Sequence, residues 1–192
     1  SALAANGAAA QAFVNTFIGG AAGMVAWMIV EMAKTGKVST IGMASGIIAG
    51  LATITGAAGF VGSMHSFVFG ALAGVICFFA IEAKFRFGFD DSLDVVGIHF
   101  VGGALGSVLL GFMADSSAVP GGDFIDGVFF GGGVLLWNQI LSLVAVTTFS
   151  FVMTYIIAKI MDRTIGLRVT ESTEMAGLDA SDHGEPAYIM EP

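Results

Sequence analysis

The chain alternates long apolar stretches with short polar segments. The five stretches cover residues 9–30, 40–54, 67–81, 93–113 and 127–160. A helix needs about 20 residues, at about 1.5 Å each, to cross about 30 Å of hydrocarbon. The first and fourth stretches fit one span each, Gly, Ser and Thr flanks could extend the second and third, and the fifth is one long or tilted helix that starts after the triple-glycine run at 131–133. The pattern predicts an all-α integral membrane protein with about five transmembrane helices.

Composition supports a membrane setting and excludes several function classes. The 192 residues are 56% hydrophobic and 11% charged, whereas soluble proteins carry about 25% charged residues. The net charge of −8 argues against nucleic-acid binding, which needs a basic surface. The sequence lacks the HExxH, CxxC, GxGxxG and P-loop motifs. We therefore expect neither a hydrolase nor a nucleotide-driven pump, and we expect no cofactor and no metal site.

The basic residues predict how the spans are oriented. If five spans are threaded with the N-terminus outside, every Lys and Arg falls on the cytoplasmic side. The outer loops, near 55–66 and 114–126, contain neither residue type. This distribution follows the positive-inside rule and predicts a cytoplasmic C-terminus. The seven basic residues are Lys34, Lys37, Lys84, Arg86, Lys159, Arg163 and Arg168.

Glycines recur four residues apart inside the apolar stretches. Gly42, Gly46 and Gly50 form two overlapping pairs, and the same spacing appears in 70–74 and 102–106. Small residues at this spacing let helix backbones approach closely in lipid. We therefore expect these stretches to be close-packed against other helices.

His99 is the candidate functional residue inside an apolar stretch. Ionisable groups within a bilayer are rare and mark substrate or proton paths by default. The alternative is a neutral histidine that donates to a backbone carbonyl and serves packing. Apolar surroundings favour the neutral imidazole, which has one donor and one acceptor. Such a ring could pass a small polar molecule, or a proton, along a narrow pore.

The other polar residues near the spans have structural interpretations. Asp90, Asp91 and Asp94 precede the His99 span, where carboxylates cap a helix and complement its dipole. We favour this capping role over a direct role in transport. His65 is expected in an outer loop or at the interface. Haem ligation needs two histidines at similar depth on facing helices, and the chain offers no such pair.

Four blocks of sequence resemble the ammonium transporter family (Amt/Mep/Rh), and most of all its bacterial Amt branch. They are Ser-Ala-Leu and Ala-Phe-Val-Asn-Thr at 1–3 and 12–16, Gly-Lys followed by the glycine-rich run at 36–51, the stretch from Asp90 to Gly103, and the tail motifs at 166–169 and 177–188. The resemblance implies the second half of an eleven-helix inverted-repeat ammonium channel. Residues 1–162 would be the membrane region and 163–192 a cytosolic tail.

The resemblance also implies roles for single residues. His99 matches the second of two pore histidines, and Val95 matches an apolar residue that lines the pore beside it. Ser1 matches a serine that recruits ammonium at the outer vestibule, and Ser45 matches a polar position toward the inner side. Ammonium would lose its proton near the mouth, and ammonia would pass the histidines.

The family also implies partners and a location. Its members are homotrimers in the plasma or inner membrane and take up nitrogen as ammonium. The tail could contact a neighbouring subunit or a regulator of the PII type. The tail residues that match the family's motif are His183, Glu185 and Tyr188.

Some family features fall outside this sequence. The first pore histidine, the gate phenylalanines and a buried aspartate belong upstream of Ser1 in the family, so we expect a chain that does not complete a pore alone. Its start, which lacks an initiator methionine, suggests a fragment or a processed chain. Two alternatives to a channel remain open: an ammonium sensor of the same fold that signals through its tail, and a structural membrane scaffold.

Overall fold

The computed structural model describes residues 4–185, and the regular elements among them are helical. The all-α prediction is therefore confirmed for this part of the chain. Short helical turns lie at Ser116–Ala118, Val128–Phe130 and Asp179–His183, and a short helix α6 at Glu171–Ala176. The five long helices are α1 (Gly7–Thr35), α2 (Thr40–Ile54), α3 (Ser63–Phe87), α4 (Val96–Met113) and α5 (Val134–Thr164).

Four of the five long helices are long and apolar enough to cross a membrane, namely α1, α3, α4 and α5. The helix α5 begins directly after the triple-glycine run, and α3 extends the third apolar stretch at its N-terminal end from Ser63, both as predicted. At its C-terminal end α3 also continues through residues 82–87, which contain no Gly, Ser or Thr. The expected extension of the second stretch is wrong, because α2 has only 15 residues and ends at Ile54. Turns replace the helix at 55–62, where Gly56, Gly59 and Gly62 weaken the tendency to continue it.

The boundaries of the first two helices follow from local chemistry. The side chain of Asn6 accepts a hydrogen bond from the Ala9 amide (3.0 Å) and caps the start of α1. Gly36 ends that helix in a left-handed conformation (φ 74°), which glycine adopts without steric cost. The Ser39 hydroxyl accepts from the Gly42 amide (2.9 Å) and caps α2.

Glycine pairs on three helices meet where α1 crosses α2 and α3. A Cβ atom added at Gly50 or Gly70 would overlap the carbonyl oxygen of Gly19, and one at Gly74 would overlap that of Gly23. The backbones therefore touch where side chains would otherwise separate them. The prediction that the spaced glycines mediate packing is confirmed, and a Gly19–Gly23 pair on α1 completes the crossing.

Two apolar clusters fill the space between these helices. One lies around Phe69, at the end of the bundle where α2 stops, and the other around Trp27 and Cys77. The buried members are Ile54, Ala57, Ala58, Val61, Phe69, Leu110 and Ala114 in the first cluster, and Trp27, Ala49, Ala73, Cys77, Phe78 and Ile98 in the second.

The non-helical segment 55–62 is held by two amide side chains of α1. Asn15 is fully buried, and its Nδ2 donates to the carbonyls of Ala58 (2.8 Å) and Val61 (2.8 Å). Gln11 also donates to the Val61 carbonyl, at 3.1 Å. Irregular backbone in a membrane protein needs such partners, because lipid offers none. The side chains of Gln11 and Asn15 therefore supply the hydrogen bonds that the backbone after Ile54 lacks when α2 ends there.

We expect Asn15→Leu to destabilise the protein by about 1–3 kcal/mol, because the buried Ala58 carbonyl loses its donor. Reversible unfolding in mixed micelles measures this change. The matched variant is Thr16→Val, because the Thr16 hydroxyl bonds only to Ala12 on its own helix. An equal loss of stability in both variants would show that Asn15 does not hold the segment.

The chain divides into two compact units, Ser1–Val144 and Ala145–Pro192. The first unit contains α1 to α4 and the start of α5. The second contains the remainder of α5, the helix α6 and the turn at Asp179–His183. The boundary between membrane region and tail at residue 162 stays a prediction.

Candidate functional site

His99 lies in a π-helical turn, Val96–Phe100, that opens α4. A π-helical turn is wider than an α-helical one and is frequent at functional sites. The sequence did not predict this irregularity, because the apolar stretch there is continuous. The imidazole is therefore presented from a local distortion of the span.

One side of α4 is open within the chain. Val95 is 50% exposed, His99 is exposed, and a Cβ added at Gly103 would meet no atom within 4 Å. These three positions are four residues apart and share one side of the helix. We call this side, defined by Val95, His99 and Gly103, the His99 face.

The opposite side of the same turn is packed. Ile98 is only 4% exposed, and a Cβ at Gly97 would lie 2.8 Å from the Ile81 side chain of α3. Further along, a Cβ at Gly106 would overlap the carbonyl of Thr53 on α2. Since α4 is fixed against α2 and α3, the side of the helix on which His99 lies is also fixed.

Three aspartates surround the start of α4. The two carboxylate oxygens of Asp91 accept from the amides of Val95 and Val96, each at 2.9 Å. Asp94 forms an ion pair with Lys84 of α3. Asp90 is exposed, and its carboxylate accepts from the Ser92 hydroxyl at 3.1 Å. Asp91 thus caps the helix and Asp94 forms an ion pair, whereas the only side-chain hydrogen bond of Asp90 within residues 4–185 is the one from Ser92.

The other two predicted pore residues are Ser45 and Ser1. Ser45 is half-buried on α2, the helix that also packs against the first turn of α4. Ser1 lies outside the described residues. The structure therefore places Val95 and His99 on one face of α4, and Ser45 on the neighbouring helix α2.

His65 is in the first turn of α3, not in a loop, and is half-buried. Its ring packs edge-on against Phe130, with ring centroids 5.4 Å apart. Its Nδ1 atom is buried and has no hydrogen-bond partner among residues 4–185. The contact with Phe130 gives His65 a packing role at the start of α3.

A cavity of about 470 Å³ lies beside the C-terminal half of α4. Ser107, two turns beyond His99, lines it together with Phe60, Phe124 and Gln139. Its walls are mainly apolar, with a hydroxyl and an amide among them. Among residues 4–185, no group of three or more His, Cys, Asp or Glu side chains is placed to bind a metal.

The tail residues belong to the second unit. His183 and Glu185 are exposed, and the Glu185 amide donates to the Asp179 carbonyl at 3.2 Å. Tyr188 lies outside the described residues. Arg168 forms a forked ion pair with Glu174 of α6, with N–O distances of 3.1–3.2 Å.

Two residues of structural importance were missed by the sequence reasoning. Asn15 was noticed only as part of a motif, although a polar amide inside an apolar stretch signals a buried hydrogen bond. Lys84 was counted only as a cytoplasmic charge. Its side chain is 13% exposed and faces Asp94, ten residues later.

The sequence pattern described as the Ammonium Transporter Family matches residues 1–188. The chain belongs to the ammonium transporter family. The family is one of transporters, so this member is not an enzyme. With four candidate spans, it is a multi-pass membrane protein.

Individual members of the ammonium transporter family and their structures agree with this assignment. The ammonium transporter of Bacillus subtilis (strain 168) is 42% identical over 189 residues, which are 98% of this chain and 46% of that protein. The crystal structure of Candida albicans Mep2 matches with a TM-score of 0.81 and 35% identity, over 88% of this chain and 38% of that one. A structure described as a sensor Amt protein matches with a TM-score of 0.80 at 20% identity, over 93% of this chain and 43% of that one, which is a likeness of fold alone.

The chain spans less than half the length of the ammonium transporters that it matches. Over 88% of this chain, the fold matches that of part of Mep2.

Proposed function

We propose that this chain is the second half of an ammonium channel and that its His99 face lines the pore. The observation that carries the proposal is an exposed imidazole in a membrane-spanning helix whose other side is packed. A histidine turned toward lipid would lose hydrogen-bond partners for both ring nitrogens. A polar or water-accessible path beside it removes that cost.

The physical basis of conduction is the difference between ammonium and ammonia. An ion that leaves water for an apolar passage loses many kcal/mol of solvation, whereas a neutral amine loses far less. Val95 and Gly103 would make the passage apolar on both sides of the ring, and the neutral imidazole of His99 would exchange a hydrogen bond with ammonia. Ammonium would therefore release its proton to water or another base at the outer mouth, and ammonia would pass the imidazole. The proton would cross by a separate, coupled route, so that net transport carries charge.

The second side of the passage would come from the first half of the fold. In inverted-repeat transporters the path lies at the interface between the repeats. Val95 and His99 are exposed in this chain. Residues at an interface between the two halves would be exposed in this way when the first half is absent. We call this chain together with that first half the complete transporter.

The remaining assignments belong to the same proposal. Ser1 would recruit ammonium at the outer mouth, and Ser45 would lie toward the inner side of the path. The short helix α2 would serve as a fifth span together with the segment 55–62. The C-terminus would be cytoplasmic, with residues 163–192 as its tail.

Assembly and regulation follow the family. The complete transporter would be a homotrimer with one pore in each subunit. Exposed tail residues, His183 and Glu185 with Tyr188, would contact a neighbouring subunit or a regulator of the PII type.

The direct test is flux of the purified complete transporter in proteoliposomes. We expect an ammonium gradient to evoke current or methylammonium uptake well above that of protein-free liposomes. Binding of ammonium without any flux would contradict the channel and would point to a sensor of the same fold. If the protein showed neither ammonium binding nor flux, only the structural scaffold would remain as an interpretation.

A further inference from the structure

An ion pair joins α3 to the start of α4, next to the turn that carries His99. The Lys84 ammonium pairs with the Asp94 carboxylate and also donates to the Asp91 carbonyl at 2.7 Å. The side chains of Lys84 and Asp94 are only 13% and 26% exposed. A half-buried pair with a second hydrogen bond is more rigid than a solvated surface pair.

The same few residues define where α4 begins. The Asp91 carbonyl accepts from the Asp94 amide (3.2 Å), and the Asp91 carboxylate accepts from the first amides of the helix. The Asp94 carbonyl then accepts from the Ile98 amide at 2.8 Å. Lys84 therefore joins α3 to both ends of the turn at 91–94 that starts the helix.

Asp94 has an unusual backbone conformation. Its φ is 56°, and it is the only non-glycine residue with positive φ in the described chain. Left-handed backbone is unfavourable for residues with a Cβ atom, although Asp and Asn tolerate it best. The ion pair with Lys84 supplies a contact that holds this conformation, and the π-helical turn with His99 follows directly.

We propose that Lys84 is a positioning residue for conduction. Through Asp94 and Asp91 it fixes the first turn of α4, and so it fixes the direction in which Val95 and His99 face the passage. Lys84 need not touch the conducted molecule. The inference rests on the proposed function, because it assigns the ion pair a role in presenting His99.

The test is a double-mutant cycle in the complete transporter, reconstituted in proteoliposomes. Lys84→Met removes the charge and keeps the length of the side chain, and Lys84→Arg retains the charge. We expect Lys84→Met to lower ammonium flux or shift the methylammonium-to-ammonium flux ratio by at least about threefold, within the range of directly coupled residues. Lys84→Arg should restore part of the change.

The second arm separates positioning from general stability. In a His99→Ala background, Lys84→Met should have little further effect on the flux ratio, because the ring that it positions is gone. Equal effects of Lys84→Met in both backgrounds would overturn the proposal. The matched control is Lys34→Met, which breaks an ion pair with Glu82 whose two side chains are each 40% exposed. This control should leave the flux ratio unchanged.

A further variant covers the case in which Lys84→Met fails to fold. Asp94→Asn tolerates the left-handed backbone and still accepts a hydrogen bond, but lacks the charge. It should shift the flux ratio in the same direction as Lys84→Met, and an unchanged ratio would contradict the proposal. Wild-type protein without flux would refute the channel itself. A conducting, His99-dependent protein that is indifferent to Lys84 and Asp94 would refute only the positioning role.

Discussion

The complete transporter carrying His99→Ala is expected to lose at least about tenfold in ammonium flux, or to change its selectivity against methylammonium, while it still assembles. A polar group left without its hydrogen-bond partner in a dry site costs about 1–3 kcal/mol, and each 1.4 kcal/mol on a barrier is about tenfold in rate. Because His99 is exposed in the chain, its loss should not open a cavity in the helix packing. Ammonium-evoked current in proteoliposomes measures the effect, and size-exclusion chromatography measures assembly.

The matched control for that experiment is His65→Ala. His65 packs edge-on against Phe130 at the start of α3 and is not on the His99 face. Its replacement should leave selectivity unchanged. If His99→Ala conducts like the wild type with the same selectivity, the imidazole has no role in the pore.

Gly70→Ala is expected to disrupt the three-helix crossing and to destabilise the protein by about 1–3 kcal/mol or more. The added methyl would overlap the Gly19 carbonyl oxygen and would lie 2.9 Å from the Cβ of Ala22. Backbone atoms cannot move away as a flexible side chain can, so α1 and α3 would have to separate. The midpoint of thermal unfolding in detergent, together with the yield of assembled protein, measures the loss.

A second glycine-to-alanine change provides the comparison. At Gly103 the added methyl would have no atom of the chain within 4 Å. Alanine also favours a helix by up to about 1 kcal/mol over glycine, so stability should be unchanged or slightly raised. Equal destabilisation by Gly70→Ala and Gly103→Ala would mean that close backbone contact does not explain the glycine pairs.

Hydropathy predicted the long helices because the length of an apolar stretch and the thickness of a bilayer are directly linked. It placed α1, α3, α4 and the start of α5. It also placed α2 at 40–54, but the extension that its flanks could have supplied does not occur, because whether the chain continues as helix beyond Ile54 depends on tertiary contacts. The amides of Gln11 and Asn15, more than forty residues earlier, hold the turns that replace the helix there.

The candidate site was predicted in part. The sequence singled out His99, because an ionisable residue in an apolar stretch is visible without a structure. It could not show that Val95 and His99 share an open side of α4, since that depends on which side packs against α2 and α3. Nor could it show the π-helical turn or the pairing of Lys84 with Asp94, because both depend on how the loop at 88–94 returns the chain to α3.

The central claim is that the His99 face borders a passage enclosed by protein. An experimental density map of the complete transporter in a lipid nanodisc tests it most directly. We predict that the imidazole of His99 and the side chain of Val95 line a continuous narrow channel with protein on every side. A map in which His99 lies against acyl chains, or in packing with no passage beside it, would contradict the account.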